Sequence, residues 1–244
     1  MQSTISNLTL SLIIVFLIGD TKTFSALKNP DISDHGRKNA HDRFLIETRR
    51  MMDEQTEIIK QQVWENLRLV PGTTKDYTTT VTLSIANGNT IDATCNIMFP
   101  ESSWELASLV IDDYKDVLKN TNTNIFAVIN RLITDPNVLA SEINITGLWR
   151  PFLGSHVHIA GRGMDIGNIR SSMGSGVIFN SNSFPIENDY GQAIRTSLTT
   201  NFPVINQYLS PWFMCSPATS CSVNQGGTAL EKTHSNHLHL TLSP

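Results

Sequence analysis

His234-Ser235-Asn236-His237-Leu238-His239-Leu240-Thr241-Leu242 stands two residues before the end of the chain, and its reading decides the fold. Leu238, Leu240 and Leu242 alternate with His237, His239 and Thr241. Successive side chains of a strand point to opposite faces, so this period of two predicts a half-buried strand. His237 and His239 then share one face and the leucines the other. Same-face neighbours on a strand are about 7 Å apart, twice the rise per residue, whereas a zinc–imidazole bond is about 2 Å. One histidine of the pair can therefore bind an ion while the other reaches a water beside it.

A second cluster lies upstream, in Gly154-Ser155-His156-Val157-His158-Ile159-Ala160-Gly161-Arg162-Gly163-Met164-Asp165. It supplies two imidazoles and a carboxylate in a stretch whose glycines let the backbone turn sharply. Five of the chain's seven histidines fall in these two segments. Zinc that hydrolyses bonds keeps three protein ligands and an open fourth position, and His158, Asp165 and His239 make such a set. Each residue alone has a plainer use: Asp165 as a turn residue, Arg150 as a surface ion-pair former, and His156 as an exposed neighbour of His158 on an extended segment. His35 and His41 fall in a charged helical stretch and read as solvated.

Other motifs lack parts. His156-Val157-His158 starts like a cupin site, but no Glu follows before Glu187. His239-Leu240-Thr241 is half of a two-histidine phosphoesterase signature without its second half. Gly161-Arg162-Gly163 is too short for a dinucleotide fingerprint, which needs a strand before it and a helix after it.

The pattern His-x-x-Gly-x-Gly-x-Asp, followed far downstream by His-x-x-His-x-His in a terminal strand, resembles the LAS metallopeptidases. The triplet is most similar to the penicillin-insensitive murein endopeptidases. Ile145-Thr146-Gly147-Leu148-Trp149-Arg150-Pro151 resembles the strand and arginine ahead of the first metal histidine in the D-alanyl-D-alanine peptidase branch. The likeness covers about the last half of the chain.

That resemblance implies His158, Asp165 and His239 as ligands of Zn2+, His237 as catalytic base or water-orienting group, and His234 as an auxiliary. It implies Arg150 as the holder of a substrate carboxylate or oxyanion, a task suited to its planar charged fork. It also implies peptidoglycan stem or cross-link peptides as substrate. The chain departs from the family at three places: His156 stands where the family has Ser, Gly163 where it has Ala, and His234 or His237 where one branch has a Glu base. The alternative from another functional class is a zinc-containing module that binds cell-wall peptides without cutting them.

A chain of 244 residues with 40% hydrophobic content has room for one large domain, or for a catalytic domain with an N-terminal addition. The formal net charge of -4 leaves no basic footprint for nucleic acid. Leu8 to Gly19 is an apolar run of signal-peptide length, with small residues near Ser25 and Ala26. It predicts export, to the cell envelope or beyond, although no Lys or Arg precedes Lys22; left uncleaved, the run would tether the chain to a membrane. Three cysteines leave one unpaired within the chain. Either Cys215 and Cys221 close a small loop and Cys95 is a buried thiol, or all three are reduced and buried.

The expected organisation is a leader over residues 1–25, a helical and hairpin region over 26–118, and a LAS-like domain over 119–244. A long helix is predicted from about Ala40 to Leu69, with Leu45, Met52, Ile59, Val63, Leu67 and Val70 at helical intervals, stopped by Pro71-Gly72. Strands follow at Thr79 to Ile85 and Thr90 to Phe99 around Asn87-Gly88-Asn89. Ser102-Ser103-Trp104-Glu105 reads as a capping box opening a helix through Leu106, Leu109, Val110, Tyr114 and Val117. Next come a helix near Asn124 to Ile133, a strand at Glu142 to Leu148 delivering Arg150, a Gly- and Ser-rich loop at Arg170 to Gly176 at the mouth of the site, and a helix near Gly191 to Thr199. The fold class is α+β: a small antiparallel sheet carrying the zinc site, flanked by helices, with a helical N-terminal extension.

Overall fold

The computed structural model describes residues 34–74, 76–85, 91–99, 113–152 and 155–244. The apolar leader, the Asn87-Gly88-Asn89 turn, the Ser102 to Glu105 capping box and Gly154 lie outside them. The chain divides into two units, Met1–Ile58 with Leu83–Asp92, and Ile59–Thr82 with Ala93–Pro244.

The described residues form six helices and ten strands. Helix α1 (Asp34–Asn66) begins in the first unit and ends in the second. It starts earlier than its apolar period predicts and stops before Leu67. Of the expected apolar face, Ile59, Val63 and Leu67 are buried, all in the second unit, while Leu45 is exposed. Short strand β1 (Arg68–Leu69) intervenes before the Pro71-Gly72 turn, and β2 (Tyr77–Ile85) and β3 (Ile91–Phe99) follow where alternation places them.

Helix α2 (Tyr114–Asn120) opens at its own cap: Asp113 is extended, and its side chain accepts from the Lys115 N–H. Tyr114 and Val117 are buried, but they belong to a helix that starts at this aspartate. Helix α3 (Asn124–Thr134) is amphipathic, burying Ile125, Ile129, Leu132 and Ile133 among others. It ends at extended Asp135, because the residue before Pro136 is sterically excluded from the helical region.

The remaining elements are β4 (Ala140–Gly147), α4 (His156–Ile159), β5 (Gly163–Ser171), β6 (Gly176–Ile178), α5 (Asp189–Thr199), β7 (Ile205–Leu209), β8 (Phe213–Cys215), β9 (Cys221–Val223), α6 (Ala229–Thr233) and β10 (Leu238–Leu242). The sheet runs β1-β2-β3-β4-β5-β10-β7-β8-β9, with β6 paired to β5 off this path. The fold is mixed α/β, and the sheet is mostly antiparallel, with β3 and β4 parallel. The sheet is thus ten-stranded, not small. The expectation fell short because strands of two to five residues, such as β1, β6, β8 and β9, are too brief to show an alternation.

The last strand is buried along its whole length, where the pattern predicts half. It lies between β5 and β7, with its leucines in the core beside Ile143, Ile145, Ile166 and Ile169. Each such side chain contributes about 1.5–3 kcal/mol by burial. Helix α3 packs on β4 and on α5, and α5 packs on β6 and β7. The face of β10 that carries His239 is buried for a different reason, given by its polar neighbours.

Candidate metal centre

Three elements deliver the first group. His158 sits in the one-turn helix α4, not on an extended segment, and this separates it from its neighbour: His158 is buried and His156 is exposed. Two glycines permit the turn. Gly161 has φ +70 and passes so close to the Asn120 carbonyl that no side chain fits. Gly163 lets β5 lie flat against the His158 ring, where a Cβ would meet its Nδ1 at 2.6 Å.

Asp165 is a strand residue, not a turn residue, and β10 pairs it with His239 as direct cross-strand neighbours. The carboxylate Oδ1 is 2.7 Å from His239 Nδ1 and 3.2 Å from His158 Nε2. The Arg150 guanidinium donates to Oδ2. Just outside β10, His237 Nε2 stands 3.7 Å from Oδ1. His234 caps α6 and brings its ring within 5.2 Å of both the His237 and His239 rings. The structure therefore brings together all six residues singled out from the sequence: Arg150, His158, Asp165, His234, His237 and His239.

The outer nitrogens decide what this cluster can hold. His158 Nδ1 is 2.7 Å from the Leu148 carbonyl, and His234 Nδ1 is 2.8 Å from the Leu230 carbonyl. A carbonyl oxygen only accepts, so in both rings Nδ1 carries the hydrogen and Nε2 is left with a bare lone pair when the ring is neutral. His237 Nδ1 likewise faces Asn236 Oδ1 at 2.8 Å. Each lone pair is turned toward the cluster. An imidazole anchored by one nitrogen to an oxygen, with the other aimed inward, is how metal-ligating histidines are oriented. The ligand atoms of His158, Asp165 and His239 lie within 4.8 Å of one another, and so do those of His234, His237 and His239. Ligand atoms around a tetrahedral ion with bonds of about 2 Å are roughly 3.3 Å apart. The buried side chains present here could hold a metal ion.

Electrostatics agree. Burial pushes the Asp165 carboxyl up, but the His158 and His239 rings, where they direct a hydrogen or positive charge at it, outweigh that and hold it well below the usual carboxylate range. Burial lowers His234, and it lowers His237 to about 4. Both rings are thus neutral near pH 7, with the lone pairs a metal needs.

The cluster lies in a cleft of ≈ 790 Å³, lined also by Thr146, His156, Gln207 and Leu209. The Arg170 to Gly176 segment, expected as a loop at its mouth, is instead the end of β5 and the turn into β6. Arg170 and Gly176 line a separate hollow of ≈ 180 Å³. Cys215 and Cys221 are bridged and pair across β8 and β9. Cys95 is buried, and burial pushes its thiol up to about 12.

Sequence reasoning missed the oxygens that orient the rings. The Leu148 and Leu230 carbonyls are invisible to it, because any residue carries one. Thr241 offered a signal, standing two residues from His239 on the same face. Gln207 offered none, since its place opposite Thr241 comes from the β7–β10 register. Compared with known proteins, the chain matches no family model, no curated protein and no solved structure.

Proposed function

We propose that the chain is a zinc-dependent peptidase that hydrolyses stem or cross-link peptides of peptidoglycan, in the cell envelope or outside the cell. The observation that supports the chemistry is the inward turn of anchored imidazole lone pairs around one buried carboxylate. The substrate class follows from the resemblance of the His158 to Asp165 and His234 to His239 motifs to murein peptidases. A cleft of ≈ 790 Å³ falls in the size range of sites that enclose small ligands.

In this reading His158 through Nε2, Asp165, and His239 through Nδ1 hold the ion. Bound zinc supplies Lewis-acid polarisation and a water acidic enough to ionise near neutral pH. His237 serves as general base at Nε2, because Asn236 fixes its other nitrogen and burial keeps the ring neutral. His234 is an auxiliary beside the rings of His237 and His239. Arg150 is part-exposed beside Asp165, and it receives a substrate carboxylate or the developing oxyanion on the N–H groups not turned to Asp165.

A second reading, a metal-containing recognition module without hydrolysis, draws on the same crowding. With His234 and His237 also turned inward, a coordination sphere filled by protein leaves no open position.

The test is digestion of purified sacculi with and without a chelator, with released fragments identified by mass. Metal-dependent release that is lost in Asp165→Asn and His239→Ala supports the peptidase. Zinc-loaded protein that retains cell-wall fragments and releases none supports the module. Release unaffected by chelation overturns both.

A further inference from the structure

We infer that Thr241, Gln207 and Ser216 form a positioning relay that takes the hydrogen of His239 on Nε2 and so leaves its Nδ1 lone pair for the cluster. The inference rests on the reading of His239 as a metal ligand. The outer nitrogens of His158 and His234 face backbone carbonyls, which only accept, whereas that of His239 faces a group that can both give and take a hydrogen: Nε2 lies 3.3 Å from the Thr241 hydroxyl. If that hydroxyl donates to Nε2, the ring carries its hydrogen on Nδ1. That hydrogen then points at Asp165 Oδ1, 2.7 Å away, and His239 becomes an ordinary partner of the carboxylate with no lone pair for a metal. For His239 to give its Nδ1 lone pair to a metal, Nε2 must carry the hydrogen and donate it to the hydroxyl, whose own hydrogen must then go elsewhere.

Gln207 takes that hydrogen. The Thr241 hydroxyl donates to Gln207 Oε1 at 2.9 Å, and Gln207 Nε2 donates to Ser216 Oγ at 2.8 Å. The donors therefore run in one direction, from His239 through Thr241 and Gln207 to Ser216. The same amide turned over would present its NH2 to Thr241, leave the hydroxyl free to donate to Nε2, and reverse the His239 tautomer. The fold holds each member of the chain. Thr241 and Gln207 are cross-strand neighbours, and Ser216 follows Cys215, which the disulfide ties to the facing strand. Gln207 also lines the cleft, so it sits between the ligand cluster and the clamped hairpin.

The experiment uses the full chain labelled with 15N-histidine, metal-free and zinc-loaded, at mildly alkaline pH. Long-range proton–nitrogen correlation reads the His239 tautomer, and competition with a chromophoric chelator reads zinc affinity. Metal-free wild type is expected to carry the His239 hydrogen on Nδ1, against Asp165, and zinc-loaded wild type on Nε2, against Thr241. Thr241→Ser and Gln207→Glu keep a hydroxyl or an acceptor in the relay, and they are expected to bind zinc as wild type does. Thr241→Val and Gln207→Leu are expected to weaken zinc about 10–100-fold, the usual effect of losing an outer partner of a ligand. Wild-type affinity in both of these variants overturns the relay, and so does a zinc-loaded wild type with no hydrogen on Nε2. If Thr241→Val fails to fold, Gln207→Leu at the cleft wall carries the test alone. Wild type that binds no zinc refutes the metal reading, and the relay with it.

Discussion

His158 and Asp165 meet acceptor to acceptor. The hydrogen on His158 Nδ1 is committed to the Leu148 carbonyl at 2.7 Å, so in the neutral ring a bare Nε2 stands 3.2 Å from each carboxylate oxygen. Two lone-pair carriers at that distance in a buried site repel unless positive charge lies between them. A proton on the imidazole supplies it, and so does a metal ion. The Arg150 guanidinium on Oδ2 offsets the carboxylate charge but leaves the His158 side unfilled.

A divalent ion is therefore expected to stabilise the fold by linkage. At a free zinc concentration about 1,000 times the dissociation constant, the gain is about 4 kcal/mol. For a domain of this size that corresponds to roughly 8–16 °C in Tm. Asp165→Asn and His239→Ala each remove a ligand and should abolish the shift. Thermal melts with zinc and with chelator check this, and a wild-type Tm indifferent to both would sink the metal centre.

Much of this cluster was legible because its chemistry is concentrated. His158, Asp165 and His239 declare themselves by residue type, and the alternation around His239 identifies its strand. The long amphipathic segments, α3 and α5, were legible for a similar reason, since their apolar residues recur over three turns. The short strands β8 and β9 were not, because pairing across a disulfide-closed hairpin makes them strands without any internal period. His156 was misplaced on an extended segment because two histidines two residues apart look alike in a strand and different in a helical turn. What chose the turn was Gly161, whose positive φ and contact with Asn120 are tertiary facts.

Cysteine accounting gives a prediction that needs no metal. With Cys215 and Cys221 bridged, the only thiol is Cys95. It is buried on β3, and its raised pKa keeps it protonated, whereas the reactive form is the thiolate. A thiol reagent should titrate no group in the native protein and one per chain in denaturant without reductant. Three in denaturant would show the hairpin to be unbridged. Replacing both Cys215 and Cys221 by Ala should cost about 2 kcal/mol in urea unfolding, as expected for closure of so short a loop.

Acid should loosen the helix that delivers His234. Glu231 completes a capping box with Thr228 at the start of α6. The Thr228 N–H, then the Gln225 N–H and the Thr228 hydroxyl, donate to its carboxylate and lower its pKa from 4.5. A carboxyl whose pKa is depressed by folding stabilises the native state fully above its unfolded value. That contribution is lost as pH falls through the folded value. Glu231→Gln keeps the capping shape but not the charge. It should therefore be less stable than wild type at neutral pH and converge with it once pH falls well below 4.5. Parallel urea titrations across that window check the sign. A gap that widens in acid would mean the carboxylate is not what the cap uses.

The closest test of the ligand geometry is a methyl group. Gly163 is pressed against the His158 ring, and an added Cβ would lie 2.6 Å from Cγ and Nδ1 and 2.7 Å from Cε1. The ring cannot retreat freely, because Nδ1 is anchored to the Leu148 carbonyl. Gly163→Ala should tilt Nε2 away from Asp165 and weaken zinc by about 10–100-fold, comparable to losing an outer partner of a ligand, with every ligand still present. Gly174→Ala is the control: it adds backbone strain at φ +86 but meets nothing within 4 Å, so it should lower stability and leave affinity alone. Zinc titration of the two variants decides. Wild-type affinity in Gly163→Ala would mean that the ring has room the structure denies it, and that the tight seat of His158 is not what aims its nitrogen.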